Sequence, residues 1–205
     1  MNTKKMRKLT SVLLAMALAL GVCGAFAETA ALPAYAYHSE DPVANAVVKY
    51  MQETDFGYEV PEGGILVPTP IILRTVVVVN ENGEDADATV YGNFWIFTYT
   101  LEGKTLKTHS GGENAGVLKL EKKNGEWSVT GSEFAEDGEK YAESIRKFAN
   151  GDEQLEKDYY DTTGASENSM LPQYQRAVLV NYVVENKLDI TAYQDYGYDP
   201  VSLID

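Results

Sequence analysis

Residues 89–101 restrict the fold of this chain most strongly, because bulky apolar side chains recur there on both faces of a predicted strand. Successive side chains of a β-strand point to opposite faces. The two faces would carry Tyr91, Trp95, Phe97 and Tyr99 on one side and Val90, Phe94 and Ile96 on the other. The stretch therefore predicts a long, aromatic-rich strand within a sheet.

Further strands are predicted on both sides of this one. Residues 71–79 are apolar on both faces apart from Arg74 and Thr75, which is typical of a central strand, and they follow a loop predicted at 57–70. Turn sequences at Asn82-Gly83, Glu102-Gly103 and Asn124-Gly125 predict hairpins, since Asn-Gly tolerates positive φ. The remaining strands are predicted at 104–108, 117–123 and 126–134.

Helices are predicted before and after the strands. Asp41-Pro42 is typical of a helix start, and the apolar residues that follow recur at helical spacing. Asp137 begins a second predicted helix, residues 152–160 form a short third one, and Pro172 begins a longer fourth. The expected apolar stripe of the fourth helix consists of Tyr174, Val178, Tyr182 and Leu188.

This order of elements predicts an α+β fold in one domain. An N-terminal helix would pack on a curved antiparallel sheet of four to five strands, followed by C-terminal helices. The expected divisions are a signal peptide at 1–27, a flexible tether at 28–40, the helix and sheet core at 41–136, and a helical extension at 137–205 that packs on the same domain.

Several short stretches carry a resemblance to known proteins. They lie at residues 91–95, 103–106, 110–112, 137–138 and 193–201. On these stretches the chain is similar to uncharacterised exported proteins of anaerobic bacteria. Its layout resembles the cystatin-like cone fold of nuclear transport factor 2-like and ketosteroid-isomerase-like domains. The resemblance implies export and this fold, and it assigns no catalytic residue.

The N-terminus has the pattern of a secretory signal peptide. Four basic residues precede an uncharged apolar run, and Ala25-Phe26-Ala27 places small residues where signal peptidase requires them. We expect a secreted or extracytoplasmic protein that begins at Glu28 and has no transmembrane segment after cleavage. Cleavage after Ala36 is a second option. A third is cleavage before Cys23, which would leave a lipid-anchored protein.

Charge and cysteine content exclude several classes of function. The formal net charge is −14, and the export signal holds four of the 17 basic residues and none of the 31 acidic ones, so the mature chain is more negative still. Such a surface disfavours nucleic acid, because phosphate binding relies on Lys and Arg. If Cys23 leaves with the signal, zinc–thiolate sites and cysteine nucleophiles are excluded as well.

Two sequence patterns resemble reactive sites without meeting their requirements. His109 and Ser110 lie in a predicted glycine-rich loop and lack the elbow motif of serine hydrolases. Residues 80–87 are rich in oxygen ligands, but their order is not that of a calcium loop. No catalytic residue, metal site or cofactor is therefore predicted, and His38 is expected to be solvated.

Binding residues are predicted in two regions. Arg74, Tyr91 and Trp95 come from the sheet, where Arg74 would hold either a ligand anion or a structural carboxylate. The tail alternates aromatic and polar groups, which suit a sugar or a protein partner, or dock the tail on the core. Its candidate residues are Tyr193, Asp195, Tyr196 and Tyr198.

Three functions follow from these observations. The first is an exported non-enzymatic domain that binds a small molecule, glycan or envelope protein outside the membrane. The second is a small-pocket isomerase or hydrolase that uses a carboxylate inside the cone. The third is a cell-surface interaction module that associates through its sheet.

Overall fold

The computed structural model describes residues 31–37, 39–164 and 166–204. The predicted signal peptide, Cys23 and His38 lie outside these ranges. The described residues form, in chain order, α1 Pro42–Glu53, β1 Ile65–Val79, β2 Asp85–Glu102, β3 Thr105–Gly112, β4 Ala115–Lys123, β5 Glu126–Phe134, α2 Tyr141–Ala149, α3 Glu153–Asp161, α4 Leu171–Glu185, β6 Ala192–Gln194 and β7 Val201–Ser202. A short 3-10 turn at Gly138–Lys140 precedes α2.

The sheet is organised around β2. Along one edge β2 pairs with β1 for almost its whole length. Along the other edge its first half pairs with β4 and its second half with β3. Beyond these strands, β5 pairs with β4, β6 pairs with β3, and β7 pairs with β6. Every pairing is antiparallel except that of β3 with β6.

The predicted α+β class is confirmed, but the predicted sheet of four to five strands is too small. Seven strands are present in the described ranges, and two of them follow the helices. The region at 137–205, predicted to be helical with a tyrosine-rich tail, therefore contains two short strands in that tail as well. These strands, β6 and β7, have only three and two residues, which is too short for an alternation of apolar and polar residues to predict a strand.

Strand β1 departs from its prediction in both length and position. It begins at Ile65, inside the stretch predicted to be a loop, and includes Pro68 and Pro70. It pairs with β2 alone, so the prediction of a central strand at 71–79 is wrong. The two prolines fit this edge position, because a residue without an N–H cannot complete a ladder on both sides.

Helix α1 covers one face of the sheet. Asp41 caps it as predicted, and its Oδ1 accepts hydrogen bonds from the N–H groups of Val43 and Ala44. The buried side chains Val47 and Met51 pack against the β2 residues Phe94 and Ile96 and against their neighbours on β4. This is the face of β2 that the alternation assigned to Val90, Phe94 and Ile96.

Helices α2, α3 and α4 cover the opposite face. Tyr91 and the first half of β2 meet α2 and α3 in a cluster around Phe148 and Tyr159. The second half meets α4, whose Leu179 and Tyr182 pack in the same cluster as Trp95, Phe97 and Tyr99. The predicted division of β2 into two faces is therefore confirmed, since no apolar cluster contains residues from both faces. None of the described helices is long and apolar enough to cross a membrane.

Residues 31–37 lie against the core, within the stretch predicted to be a flexible tether. Leu32 and Tyr35 are buried. The amide of Gln52 donates to the carbonyl of Tyr35 at 2.8 Å, and the Tyr182 hydroxyl donates to the carbonyl of Pro33 at 2.8 Å. This segment thus bridges α1 and α4.

Candidate functional site

A groove of about 410 Å³ lies between the sheet and α2. Alternation places residues 89 and 91 of β2, 117 and 119 of β4, and 131 and 133 of β5 on the face that this helix covers. The end of α2 forms the other wall. The side chains used below are Thr89, Tyr91, Lys119, Glu133, Lys147 and Asn150.

The groove carries basic groups on an acidic protein. Lys147 of α2 forms an ion pair with Glu133 of β5, across the groove. Lys119 is exposed, and no described acidic side chain pairs with it. Lys119 is therefore an available cation beside Tyr91, which is half-buried in the same lining.

Arg74 lies directly beside Tyr91, because the two residues are register partners in the β1–β2 ladder. Its guanidinium Nη1 is 2.8 Å from Oδ2 of Asp152, and both side chains remain partly exposed. Asp152 also caps α3, since its Oδ1 accepts the N–H of Leu155 at 2.9 Å. Arg74 thus has a carboxylate partner within the chain, as the structural-pair alternative expected, and it is half-exposed rather than buried.

The ion pair shifts the pKa of both partners. The hydrogen bond from Arg74 is the main cause that lowers the pKa of the Asp152 carboxyl, and the bond from the Leu155 N–H adds to it. The same contact with Asp152 raises the pKa of Arg74. Asp152 is consequently an ionised, fixed group at the start of α3.

Trp95 is on the same face of β2 as Tyr91 but lies outside the groove. Its ring is buried and stacks on Phe97 at a centroid distance of 5.7 Å. Its Nε1 donates to the carbonyl of Thr162 at 3.0 Å, in the connection after α3. The amide of Asn93 donates to the same carbonyl at 3.2 Å. Trp95 therefore fixes this connection to the sheet.

The first part of the tail is attached to the core by polar contacts. Tyr193 is buried on β6. Oδ1 of Asp195 accepts from the Thr108 hydroxyl at 2.5 Å and from the Gln175 amide at 3.1 Å. The Gln175 amide also donates to the Tyr99 hydroxyl at 3.0 Å. Tyr193 and Asp195 thus hold the tail on β3 and α4, as the docking alternative requires.

Tyr196 and Tyr198 lie in the turn after β6 and project into solvent. Their side chains are 95% and 74% exposed. The structure therefore divides the predicted binding residues into three groups. Arg74 and Tyr91 lie at the groove, Trp95 and Tyr193 are buried with Asp195 half-buried beside them, and Tyr196 and Tyr198 lie on the tail surface.

The two patterns that resembled reactive sites take ordinary structural places. Ser110 lies within β3, not in the predicted loop, and its hydroxyl bonds to Thr98 at 2.9 Å rather than to His109. Gly112 is the last residue of this strand, and a Cβ at this position would overlap the side chain of Tyr58. In the 80–87 turn, Oδ1 of Asn80 accepts the N–H groups of Asn82 and Glu84. The described residues contain no cluster of His, Cys, Asp or Glu that could hold a metal.

Lys119 and Lys147 were not predicted as site residues. The alternation of β4 indicates the orientation of Lys119, because Leu118 and Leu120 face the core and the side chain between them must face the other way. Nothing local in the sequence shows that α2 returns to this face.

Comparisons with known proteins identify no relative of this chain: no family model, curated protein or solved structure matches it.

Proposed function

We propose that this chain is an exported, non-enzymatic domain that binds a small polar ligand outside the membrane, and that the ligand occupies the groove between the sheet and α2. The observation that carries the proposal is the combination of Tyr91 with the unpaired cation of Lys119 in that groove. The volume of the groove falls within the roughly 300–1,000 Å³ range of small-molecule sites.

The lining favours a sugar, and an acidic sugar most of all. An aromatic ring beside hydroxyl and amide groups suits a pyranose, and here Tyr91 lies with the hydroxyl of Thr89 and the amide of Asn150. Lys119 would attract a carboxylate on the ligand. Export fits this interpretation, since glycans are abundant outside the membrane.

The enzymatic alternative finds less support in the groove. A carboxylate base of the isomerase type needs a buried position that shifts its pKa upward. The groove acid Glu133 is instead exposed and bound to Lys147. We therefore place the binding function first.

We further propose that the first half of the sheet and α1 form a cystatin-like cone. Helix α1 contacts both outer strands of this half, β1 and β5, as a sheet curved around the helix requires. The β1–β2 and β4–β5 ladders contain register shifts, and bulges of this kind bend strands.

Binding of the exported protein to a panel of neutral and acidic glycans and small carboxylates tests the proposal. We expect an acidic saccharide to bind, and we expect Tyr91→Ala and Lys119→Ala each to weaken it about tenfold. Lys123→Ala is the matched control, because Lys123 is an exposed lysine on the same strand, outside the groove lining. Absence of binding to every member, or equal loss in the control, would reject this function.

A further inference from the structure

The last part of β1 is an apolar strand edge that nothing in the described chain covers. Val76, Val77, Val78 and Val79 are 44%, 42%, 54% and 56% exposed. They pair with β2 on one side. On the other side, no backbone hydrogen bond joins them to another described segment.

The first part of β1 is protected against pairing with another strand in ways that residues 75–80 are not. Pro68 and Pro70 remove N–H donors, and residues 65–71 are largely buried. Arg74 adds a charge, which is a common device against edge pairing. Residues 75–80 have no proline and no charged side chain. An uncharged run of β-branched residues on an open edge is suited to pairing with another strand.

We propose that this edge pairs with the same edge of a second copy of the chain, antiparallel and about a two-fold axis at Val77. This proposal is independent of the ligand groove. The register places Val77 opposite its counterpart, Val76 opposite Val78, and Thr75 opposite Val79. Every cross-strand pair then consists of β-branched residues, which stabilise paired strands.

Electrostatic repulsion between two copies is weakest at this position. The chain carries a net charge of −14, so most approaches of one copy to another bring like charges together. Across residues 75–80 the proposed pairing contains no charge. At its ends Arg74 lies opposite Asn80 of the other copy, next to the acidic Glu81. A two-fold pairing occupies the β1 edge of each copy, so no further copy can add through this edge and the assembly is a dimer.

Sedimentation equilibrium of the exported protein measures this association. We expect a reversible monomer–dimer equilibrium and an increase of about tenfold or more in the dimer dissociation constant for Val77→Lys, because the two lysines face each other at the axis. Val184→Lys is the matched control, since Val184 is 67% exposed on α4 and lies outside the edge. Far-UV circular dichroism of both variants verifies their folding.

A cysteine variant tests the register even where a lysine variant fails to fold. Paired residues in antiparallel strands have Cα atoms roughly 4.5–5.5 Å apart, within the range of a disulfide. We expect Val77→Cys to form a disulfide-linked dimer under mild oxidation and Val184→Cys not to do so. A wild-type protein that stays monomeric, a dimer that Val77→Lys leaves intact, equal cross-linking of both cysteine variants, or capture of an unrelated extended peptide by a monomer would overturn the proposal.

Discussion

Gln175 is a polar residue on the buried face of α4. The sequence predicted that Tyr174 and Val178 face the core with Tyr182, but Tyr174 is exposed and Gln175 is buried. The amide of Gln175 bonds to the Tyr99 hydroxyl and to Asp195, so its burial leaves no donor unpaired. Tyr182 is buried and Val178 and Leu188 pack against the same cluster, so the predicted stripe was wrong only at Tyr174. The partners of Gln175 are distant in sequence, which is why the helical pattern alone did not show its burial.

Asp152 gives a prediction about pH at the scale of one residue. Its folded pKa is lowered by Arg74 and by the Leu155 N–H, so its contribution to stability is present above the unfolded pKa of about 4. That contribution disappears as the pH falls through the folded pKa. We expect Asp152→Asn to be less stable than wild type at pH 7 and to approach wild type below about pH 4.

Urea unfolding at a series of pH values from 7 to 3 measures this difference. Asp137→Asn is a suitable control, because Asp137 precedes a 3-10 turn without making a side-chain capping bond. A constant difference between Asp152→Asn and wild type across the series would contradict the prediction.

At the scale of elements, local patterns predicted most of the fold and nonlocal pairing explains the errors. Asp41 caps α1, and Asn124 and Gly125 adopt positive φ in the β4–β5 turn as expected. The apolar composition of 71–79 favoured a central strand, yet composition does not reveal whether one or two strands pair with it. β6 forms only because residues 105–107 lie beside it after the chain has folded.

The segment at residues 31–37 gives a prediction about stability. Tyr35 is buried, packs on Tyr182 at 6.1 Å between ring centroids, and belongs to the cluster that α4 forms with the sheet. We expect Tyr35→Ala to lower the free energy of unfolding by about 3 kcal/mol, a typical cost for removing a buried aromatic ring. Denaturant unfolding measures the change. Tyr196→Ala, which removes an exposed tyrosine, should change it by less than about 0.5 kcal/mol.

The same segment bears on where the proposed export signal would be cut. Cleavage after Ala36 would remove the buried Leu32 and Tyr35, whereas cleavage after Ala27 retains both. We therefore expect the mass of the exported protein to correspond to a chain that begins at Glu28. A mass that corresponds to Tyr37 would mean that this segment is dispensable for folding.

At the scale of the whole molecule, the candidate site could be predicted only in part. Arg74 and Tyr91 were selected from two different strands, and the ladder places them side by side. The groove itself also needs β4, β5 and α2, which span residues 115–149. A single sequence without tertiary contacts does not show that these elements meet, so Lys119 and Lys147 could not be recognised as its cations.

Buried tyrosines give a prediction for the folded molecule as a whole. Burial raises the pKa of Tyr35, Tyr99 and Tyr159, and it raises the pKa of Tyr182 to about 12. These phenols stay protonated in the folded state while those of the unfolded chain ionise near pH 10. The contribution of these tyrosines to the free energy of unfolding is therefore complete below about pH 10. It is lost as the pH rises toward their folded pKa values.

Each such tyrosine should lower the free energy of unfolding by about 1.4 kcal/mol per pH unit between its unfolded and folded pKa. Urea unfolding at pH 9, 10 and 11, with tyrosinate absorbance recorded on the same samples, measures the slope. Tyr182→Phe should make this slope shallower, because it removes one ionisable group from the interior. Tyr196→Phe should leave the slope unchanged, since Tyr196 is exposed to solvent. A stability that stays level up to pH 11 would mean that these hydroxyls ionise as readily in the folded protein as in the unfolded chain, and it would contradict the prediction.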